Sequence, residues 1–387
     1  MLVEIILTHY RAMTILFYSD NNELGGHDRM GLAASDAIRE YFPAVRIEWL
    51  ASDDNSRFLS KLQEKGYPFS FLVNTPRDRL LSHPLMTMRA VLANARKIRN
   101  LAPDIVVVAE GVVTLGFLGS IAARLARVPH CCYLPMGSLA SEFNVESGSR
   151  VLDALWLICY RYTPNIVTID DEQKRLIALR NPKATIRIVE NYVRGNAGKN
   201  STFNEAREEW KIFEARPVIG VVGRVTFAQK GQDWLVRQLA ADPFWKDYMT
   251  LIVGDGPDLP RLEQMVLDAN LQNQVRILAW SDKVDTLYPA LDLLLIPSRA
   301  EGVPLVMLEA LSHRVPVAGT NRDGMKEWLP KEWRFEFGDG EGMKRAVLAA
   351  LHRGEPEFWR ETSRHLELIH DRKRFATEFL EAVSSFL

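Results

Sequence analysis

The sequence predicts an α/β protein made of two Rossmann-like halves of similar size. Three observations carry that prediction. Short apolar runs alternate with amphipathic segments over most of the 387 residues. The alternation stops once, from Tyr192 to Lys211, and then restarts with the same rhythm. The runs are apolar throughout rather than at every second residue, the pattern of parallel strands covered by helices on both faces.

In the first half the expected strands are Thr14–Ser19, Arg46–Ala51, Ser70–Asn74, Ile105–Ala109, His130–Leu134, Ile166–Ile169 and Ile186–Val189. Helical stretches separate them. In Met86–Leu101, for example, Met88, Val91, Leu92, Ala95 and Ile98 recur at about 3.6-residue spacing. Strand, helix, strand repeated in this way implies right-handed crossovers in a parallel sheet. The segment YVRGNAGKNSTFNEAREEWK, residues 192–211, is polar and without strand character, so it reads as a linker. Beyond it the expected strands are Val218–Val222, Thr250–Val253, Val275–Leu278, Leu293–Ile296, Val315–Ala318 and Arg334–Phe337. Helices are expected at Gln232–Ala240, Pro257–Ala269, Pro304–Ser312 and Glu341–Leu351. The tail from Phe358 to Leu387 is helical, with Ile369, Phe375, Phe379 and Val383 available for packing. The expected division is therefore 1–195, 212–365 and a C-terminal helix 366–387, for which packing back on the N-terminal domain is one arrangement, although periodicity does not reveal its partner. Residues 1–12 contain Glu4, His9 and Arg11, too mixed for a secretory signal, and read as an extension ahead of Met13.

Composition narrows the function classes. Lys and Arg number 48 against 49 Asp and Glu, a net charge of −1, which argues against a duplex nucleic-acid binder. A small anionic ligand needs only one or two cations and stays open. Cys131, Cys132 and Cys159 have neither disulfide-framework nor zinc-finger spacing. Cys131 and Cys132, in an expected buried strand, read as small core hydrophobes, and the cysteine usage fits a reducing cytoplasm. The longest nearly uncharged stretch, Gly111–Ala123, falls short of the ~20 residues of a membrane-spanning helix. The expectation is a cytoplasmic protein, at most peripheral at the inner face of a membrane. Arg89, Arg96, Lys97 and Arg99 form a basic stretch that allows such contact, with a solvated helix face as the simpler reading.

The segment SRAEGVPLVMLEAL, Ser298–Leu311, directly follows the strand LLLIP. Gly302 permits a close turn, and Pro304 suits the first turn of a helix because it has no N–H to leave unpaired. The N–H groups of Leu305 and Val306 then form an anion site at the helix start. Glu301 in the loop and Glu309 on the helix, seven residues between them, offer two carboxylates to hydroxyl donors. Spacing alone fits a charged loop residue and an exposed helical Glu equally well. GRVTFAQKG, Gly223–Gly231, places Arg224 and Lys230 around the loop after Val218–Val222, a pair suited to a diphosphate. VGDGPDLPRLEQMV, Val253–Val266, is a glycine turn without a G-x-G-x-x-G fingerprint. In the first half, Gly25 and Gly26 precede a helix starting near His27, a second backbone cradle or a plain structural turn.

Together these residues resemble the retaining GT-B glycosyltransferases of family 4, the glycosyl transferases group 1. GRVTFAQKG is similar to the family's G-R-x(5)-K-G loop, LIVGDGP to its V-G-x-G-P turn, EGVPLVMLE to its E-x(7)-E signature, and LGGHDR to its N-terminal Gly-Gly loop. The resemblance covers about residues 13–365, with the motifs in order. It implies a GT-B fold, two Rossmann-like domains facing each other across a cleft. It also implies transfer of a hexose from a UDP-sugar, UDP-glucose or a relative, to a glycan or lipid-linked acceptor in surface or exopolysaccharide synthesis. Arg224 and Lys230 then bind the donor diphosphate and stabilise the leaving group, Glu301 contacts the transferred sugar, and Glu309 the ribose. Gly223, Gly302, Val303, Pro304, Leu305 and Val306 complete the donor site, Trp280 lies where the base is read, and Gly25 and Gly26 approach the phosphates. No metal ligand set or cofactor is implied beyond the donor itself.

The sequence departs from the family in two places. Many members carry a His after the fifth strand, in a stretch like P-x(5)-H, where this chain has Pro135, with His130 inside the strand instead. Asn-Gly after the last strand of the first domain becomes Glu190-Asn191-Tyr192. Glu190 and Glu110, at strand ends, are the candidates to orient or deprotonate an acceptor hydroxyl, or are carboxylates in water. The stretch Met136–Arg150, with Glu142, Phe143 and Asn144, is a candidate acceptor loop. A UDP-sugar epimerase and a non-catalytic sugar-nucleotide binder are the alternatives. A dehydrogenase is disfavoured, because no G-x-G-x-x-G follows the first strand.

Overall fold

The computed structural model describes residues 13–74, 83–143, 149–195, 202–352 and 356–387. Contacts within the chain group into two units, one of residues 1–140, 148–192 and 371–387, the other of residues 141–147 and 193–370.

The first unit contains β1 (Thr14–Ser19), β2 (Arg46–Ala51), β3 (Phe69–Phe71), β4 (Ile105–Ala109), β5 (His130–Tyr133), β6 (Asn165–Thr168) and β7 (Thr185–Ile188). They form a parallel sheet in the order β3-β2-β1-β4-β5-β6-β7. Every side chain of β1, β4 and β5 is buried, as expected of central strands between two helical layers. The edge strands differ from the expectation. β3 is short and largely exposed, and β7 alternates, with Thr185 and Arg187 outward and Ile186 and Ile188 half-buried. An edge strand has one neighbour and partial helix cover, so its outer residues need not be apolar.

The second unit contains β8 (Val218–Val222), β9 (Met249–Val253), β10 (Val275–Leu278), β11 (Leu293–Ile296), β12 (Val317–Thr320) and β13 (Arg334–Phe335), parallel in the order β10-β9-β8-β11-β12-β13. β12 starts two residues later than its apolar run suggests. Val315 is spent on closing the preceding helix, its N–H bonded to Ala310 O after Arg314 turns at φ +56°. Two parallel sheets, each with the strand order of a Rossmann fold, therefore confirm the α/β prediction.

The polar stretch 192–211 is not all irregular. Phe203–Glu209 is a helix, started by Thr202 and Glu205 in a reciprocal cap: Thr202 Oγ1 accepts from Glu205 N at 3.3 Å and Glu205 Oε2 accepts from Thr202 N at 2.8 Å. The signal, T-x-x-E, was present in the sequence. Arg207 fastens this helix to the second unit through Asp292 at 2.7 Å. Residues 196–201 of the expected linker, the expected extension 1–12 and Asn144 lie outside the described residues.

The C-terminal tail is two helices, Pro356–Ile369 and Arg372–Ser384, broken where Asp371 caps the second by accepting from Arg374 N at 2.9 Å. The second helix completes the first unit. Phe379 stacks on Phe17 at 6.1 Å between ring centroids and meets Tyr133 at 6.2 Å, while Phe375 stacks on Tyr192 at 5.6 Å. Cys131 and Cys132 are buried among the strands. Among the described residues no helix is long and apolar enough to cross a membrane.

Candidate functional site

In the second unit the loops at the carboxyl ends of β8, β9 and β11 hold the residues singled out from sequence. Gly223 leaves β8 at φ +142°, backbone that side chains rarely adopt. Gly254, after β9, approaches so closely that a Cβ on it would lie 1.8 Å from the Gly223 carbonyl oxygen. The two loops then bond to each other: Val225 N to Asp255 O at 2.8 Å, and Phe227 N to Asp258 Oδ2 at 2.7 Å. The glycine turn after β9 thus serves as a scaffold for the short helix Phe227–Lys230.

That helix aims Lys230 at the loop after β11. Lys230 Nζ lies 2.5 Å from Glu301 Oε1, and Ser298 Oγ donates to the same oxygen at 2.6 Å. Glu301 is buried, 4% exposed, so the pair is protected from solvent screening and the carboxylate is fixed in direction. Gly302, Val303 and Pro304 are buried in the turn that follows. Pro304 is the cap of the Leu305–Ser312 helix, in extended backbone, rather than its first helical residue. Its carbonyl accepts the first bonds of the helix, from Met307 N at 3.0 Å and Leu308 N at 3.3 Å. Leu305 and Val306 therefore contribute the amides that a helix start leaves without an intrahelical partner.

Glu309 sits farther along this helix, where buried Tyr288 donates its hydroxyl to Oε2 at 2.5 Å. The Tyr288 ring stacks on His313. Trp280, after β10, is half-buried, with its backbone N–H 3.4 Å from Asp255 Oδ1. Arg224 has an exposed side chain, and its carbonyl accepts from Gln232 Nε2 at 2.8 Å. The structure thus brings Lys230, Glu301 and the helix start together, with Glu309 on the same helix. Sequence reasoning gave no role to Ser298, Tyr288 or Asp323. Ser298 stood inside the quoted motif; Tyr288 and Asp323 come from other loops, and only folding reveals them.

The first unit holds the remaining candidates. The helix Gly26–Tyr41 begins after Gly25, whose N–H donates to Asp28 Oδ2 at 2.9 Å. Asp28 is fully buried and also accepts from Ser19 Oγ at 2.7 Å. Part of the expected Gly25–Gly26 cradle is therefore committed to the helix's own carboxylate. Glu190 does not stand as a strand-end carboxylate in water: its Oε2 lies 2.9 Å from Arg374 Nη2, which ties it to the last helix. Glu110 departs from expectation more strongly. It is completely buried, and burial, reinforced by Asp20 and opposed by the neighbouring Cys132 thiol, pushes its pKa well up. Burial disfavours the charged form of this carboxyl, which counts against Glu110 as a strand-end carboxylate in water. His130 is buried in β5 as expected of a core histidine, and among the described residues its Nε2 has no hydrogen-bond partner. Burial and the nearby Arg124 charge lower its pKa to about 4.

Residues 216–353 match the family model of the glycosyl transferases group 1. Over 241 residues the chain is 24% identical to the N-acetyl-alpha-D-glucosaminyl L-malate synthase of Bacillus anthracis, covering 58% of this chain and 63% of that one. Over 219 residues it is 27% identical to the UDP-Gal:alpha-D-GlcNAc-diphosphoundecaprenol alpha-1,3-galactosyltransferase of Escherichia coli, covering 54% and 56%. The chain thus spans about three fifths of the length of these curated relatives. Among solved structures it is similar to Anabaena Alr3699/HepE in complex with UDP and glucose, with a TM-score of 0.73, 18% identity, and coverage of 96% of this chain and 100% of that one. That likeness establishes the architecture, a GT-B fold. The match to the glycosyl transferases group 1 model thus falls within the second unit, whose parallel sheet carries the strand-end loops described above.

Proposed function

We propose that the protein is a retaining, metal-independent glycosyltransferase that moves a hexose from a UDP-sugar, UDP-glucose or a close relative, to a glycan or lipid-linked acceptor. The observation that carries this reading is the contact of Lys230 with the buried Glu301 carboxylate beside the start of the Leu305–Ser312 helix. An ammonium and two helix amides suit a diphosphate, and a fixed carboxylate next to them suits the hydroxyls of the attached sugar. As the glycosidic bond breaks, negative charge grows on the departing UDP, and Lys230, Arg224 and those amides stabilise it. With Glu110 buried and Glu190 tied to Arg374, the departing phosphate oxygen is the group proposed to take the acceptor's proton. The relatives' printed substrates support a nucleotide sugar and, for the galactosyltransferase, a lipid-linked acceptor.

The acceptor is assigned to the first unit and to a cytoplasmic setting at the inner membrane face. Leu85, Met88 and Leu92 are exposed on the helix Pro84–Leu101, which also carries exposed Arg89 and Arg96. Apolar and basic side chains on one helix fit an anionic lipid surface. The test of the whole reading is a thermal-shift screen of nucleotide sugars. UDP-glucose at 100 times its dissociation constant adds about 2.7 kcal/mol of stability. Lys230→Ala and Glu301→Ala should abolish UDP release from UDP-glucose, and normal rates in both would sink the assignment. Conversion of UDP-glucose to another UDP-sugar without acceptor would instead indicate the epimerase reading.

A further inference from the structure

The loop carrying Glu301 is gripped by a second loop, the one after β12. Thr320 Oγ1 donates to Ser298 O at 2.8 Å, Arg322 Nη1 donates to Arg299 O, and Gly324 N donates to Gly302 O at 3.0 Å. Between them Asp323 Oδ2 accepts from the backbone N–H of Glu301 at 3.1 Å. The approach is close enough that a Cβ on Gly324 would lie 2.5 Å from Val303 Cγ2. The neighbouring contacts hold Ser298, Arg299 and Gly302, whereas Asp323 holds Glu301 itself.

Two further observations show that this aspartate costs something to keep. Its φ is +48°, in the left-handed region where glycine is more comfortable than any residue with a Cβ. Its carboxyl is pushed up to about 6, first by burial and then by the Glu301 and Glu142 charges, against the Glu301 amide and Arg322. A position with a strained backbone and a partly desolvated acid is explained by what the side chain does there.

We propose that Asp323 is a positioning residue for the Glu301 carboxylate: by accepting the Glu301 N–H it sets where that carboxylate stands relative to Lys230, and with it the sugar end of the donor site. The proposal rests on the donor-site reading above. It predicts that Asp323 matters for the sugar and not for the nucleotide, because UDP is assigned to Lys230, Arg224 and the helix amides, whereas the Asp323 carboxylate bonds the Glu301 N–H. Asn can supply the same acceptor oxygen and tolerates positive φ. Gly relieves the backbone and supplies no acceptor, so it removes the contact without adding strain.

The experiment compares the full-length wild type, Asp323→Asn and Asp323→Gly, each shown to be folded by its melting curve. The probes are UDP and UDP-glucose, by calorimetry and by UDP release without acceptor, together with amide exchange of the peptide spanning Ser298–Val303. In Asp323→Gly, UDP affinity should stay within about twofold of the wild type and the extra affinity for UDP-glucose should disappear. UDP release should fall about tenfold or more, the scale of a displaced catalytic group. The Glu301 amide should exchange about tenfold faster, as an opened bond does. Asp323→Asn should match the wild type throughout. Unchanged exchange and UDP release in the glycine variant would overturn the proposal, as would an asparagine variant as impaired as the glycine one. A wild type that binds neither probe would overturn the donor-site reading, and the exchange measurement, which needs no ligand, would still decide whether Asp323 positions Glu301.

Discussion

At the scale of single residues, chemistry follows from partners that the motifs do not contain. Glu309 was legible as one of two spaced carboxylates, but its direction is set by Tyr288, 21 positions away in sequence. Tyr288→Phe keeps the ring and removes the donor. A hydrogen bond to a charged group contributes about 1.5–3 kcal/mol, so UDP affinity should fall about tenfold or more. Unaltered UDP binding by calorimetry would separate Glu309 from the ribose. His130 gives a stability prediction instead. The folded imidazole takes a proton only near pH 4, the unfolded one near its ordinary 6.5. Between those values the unfolded chain binds more protons, so stability rises with pH from about 4 to 6.5, by ~3 kcal/mol. Glu110 acts with the opposite sign, since its raised pKa favours the folded state at low pH. Urea unfolding at pH 4.5 and 7 on the wild type and His130→Gln isolates the histidine. An equal pH dependence in the two proteins would remove it as the cause.

At the scale of elements, strands with strong local signals could be read almost to the residue. Thr14–Ser19, Arg46–Ala51, Ile105–Ala109, Val218–Val222, Val275–Leu278 and Leu293–Ile296 have the ends their apolar runs suggest. These runs are bounded by polar or turn-forming residues that stop the pattern. Elements at sheet edges and in polar stretches were less legible. β3 and β7 lack full cover, and the helix Phe203–Glu209 announces itself only through its cap. Thr202→Ala should therefore cost about 1 kcal/mol, read as a lower urea midpoint. Phe379 belongs to a helix far from β1 in sequence but is packed on Phe17, with 1% of its surface exposed. Phe379→Ala should cost about 3–5 kcal/mol. Denaturation followed by exchange of the Thr14–Ser19 and Arg372–Ser384 peptides would show whether the loss falls on the first unit. A loss confined to the second unit would contradict the packing described.

For the molecule as a whole, UDP binding should protect the second unit. Exchange should slow in the peptides Gly223–Lys230 and Ser298–Glu309, where Lys230, Glu301 and the helix start lie together. Protection that left both peptides unchanged would place the nucleotide elsewhere. The amino-acid sequence by itself determined the two parallel sheets, because continuous apolar runs separated by amphipathic helices have few other ways to bury their surface. It also determined the residue types at the strand ends of the second half, since glycine, proline, lysine and glutamate were local and closely spaced. Tertiary structure alone decided that the last helix returns to β1, that Glu190 is tied to Arg374 and that Glu110 is fully buried. It alone placed Asp323 on the Glu301 amide. Burial, pairing and the direction of a side chain depend on neighbours distant in the chain, and periodicity records only the face a residue takes, not what meets it there.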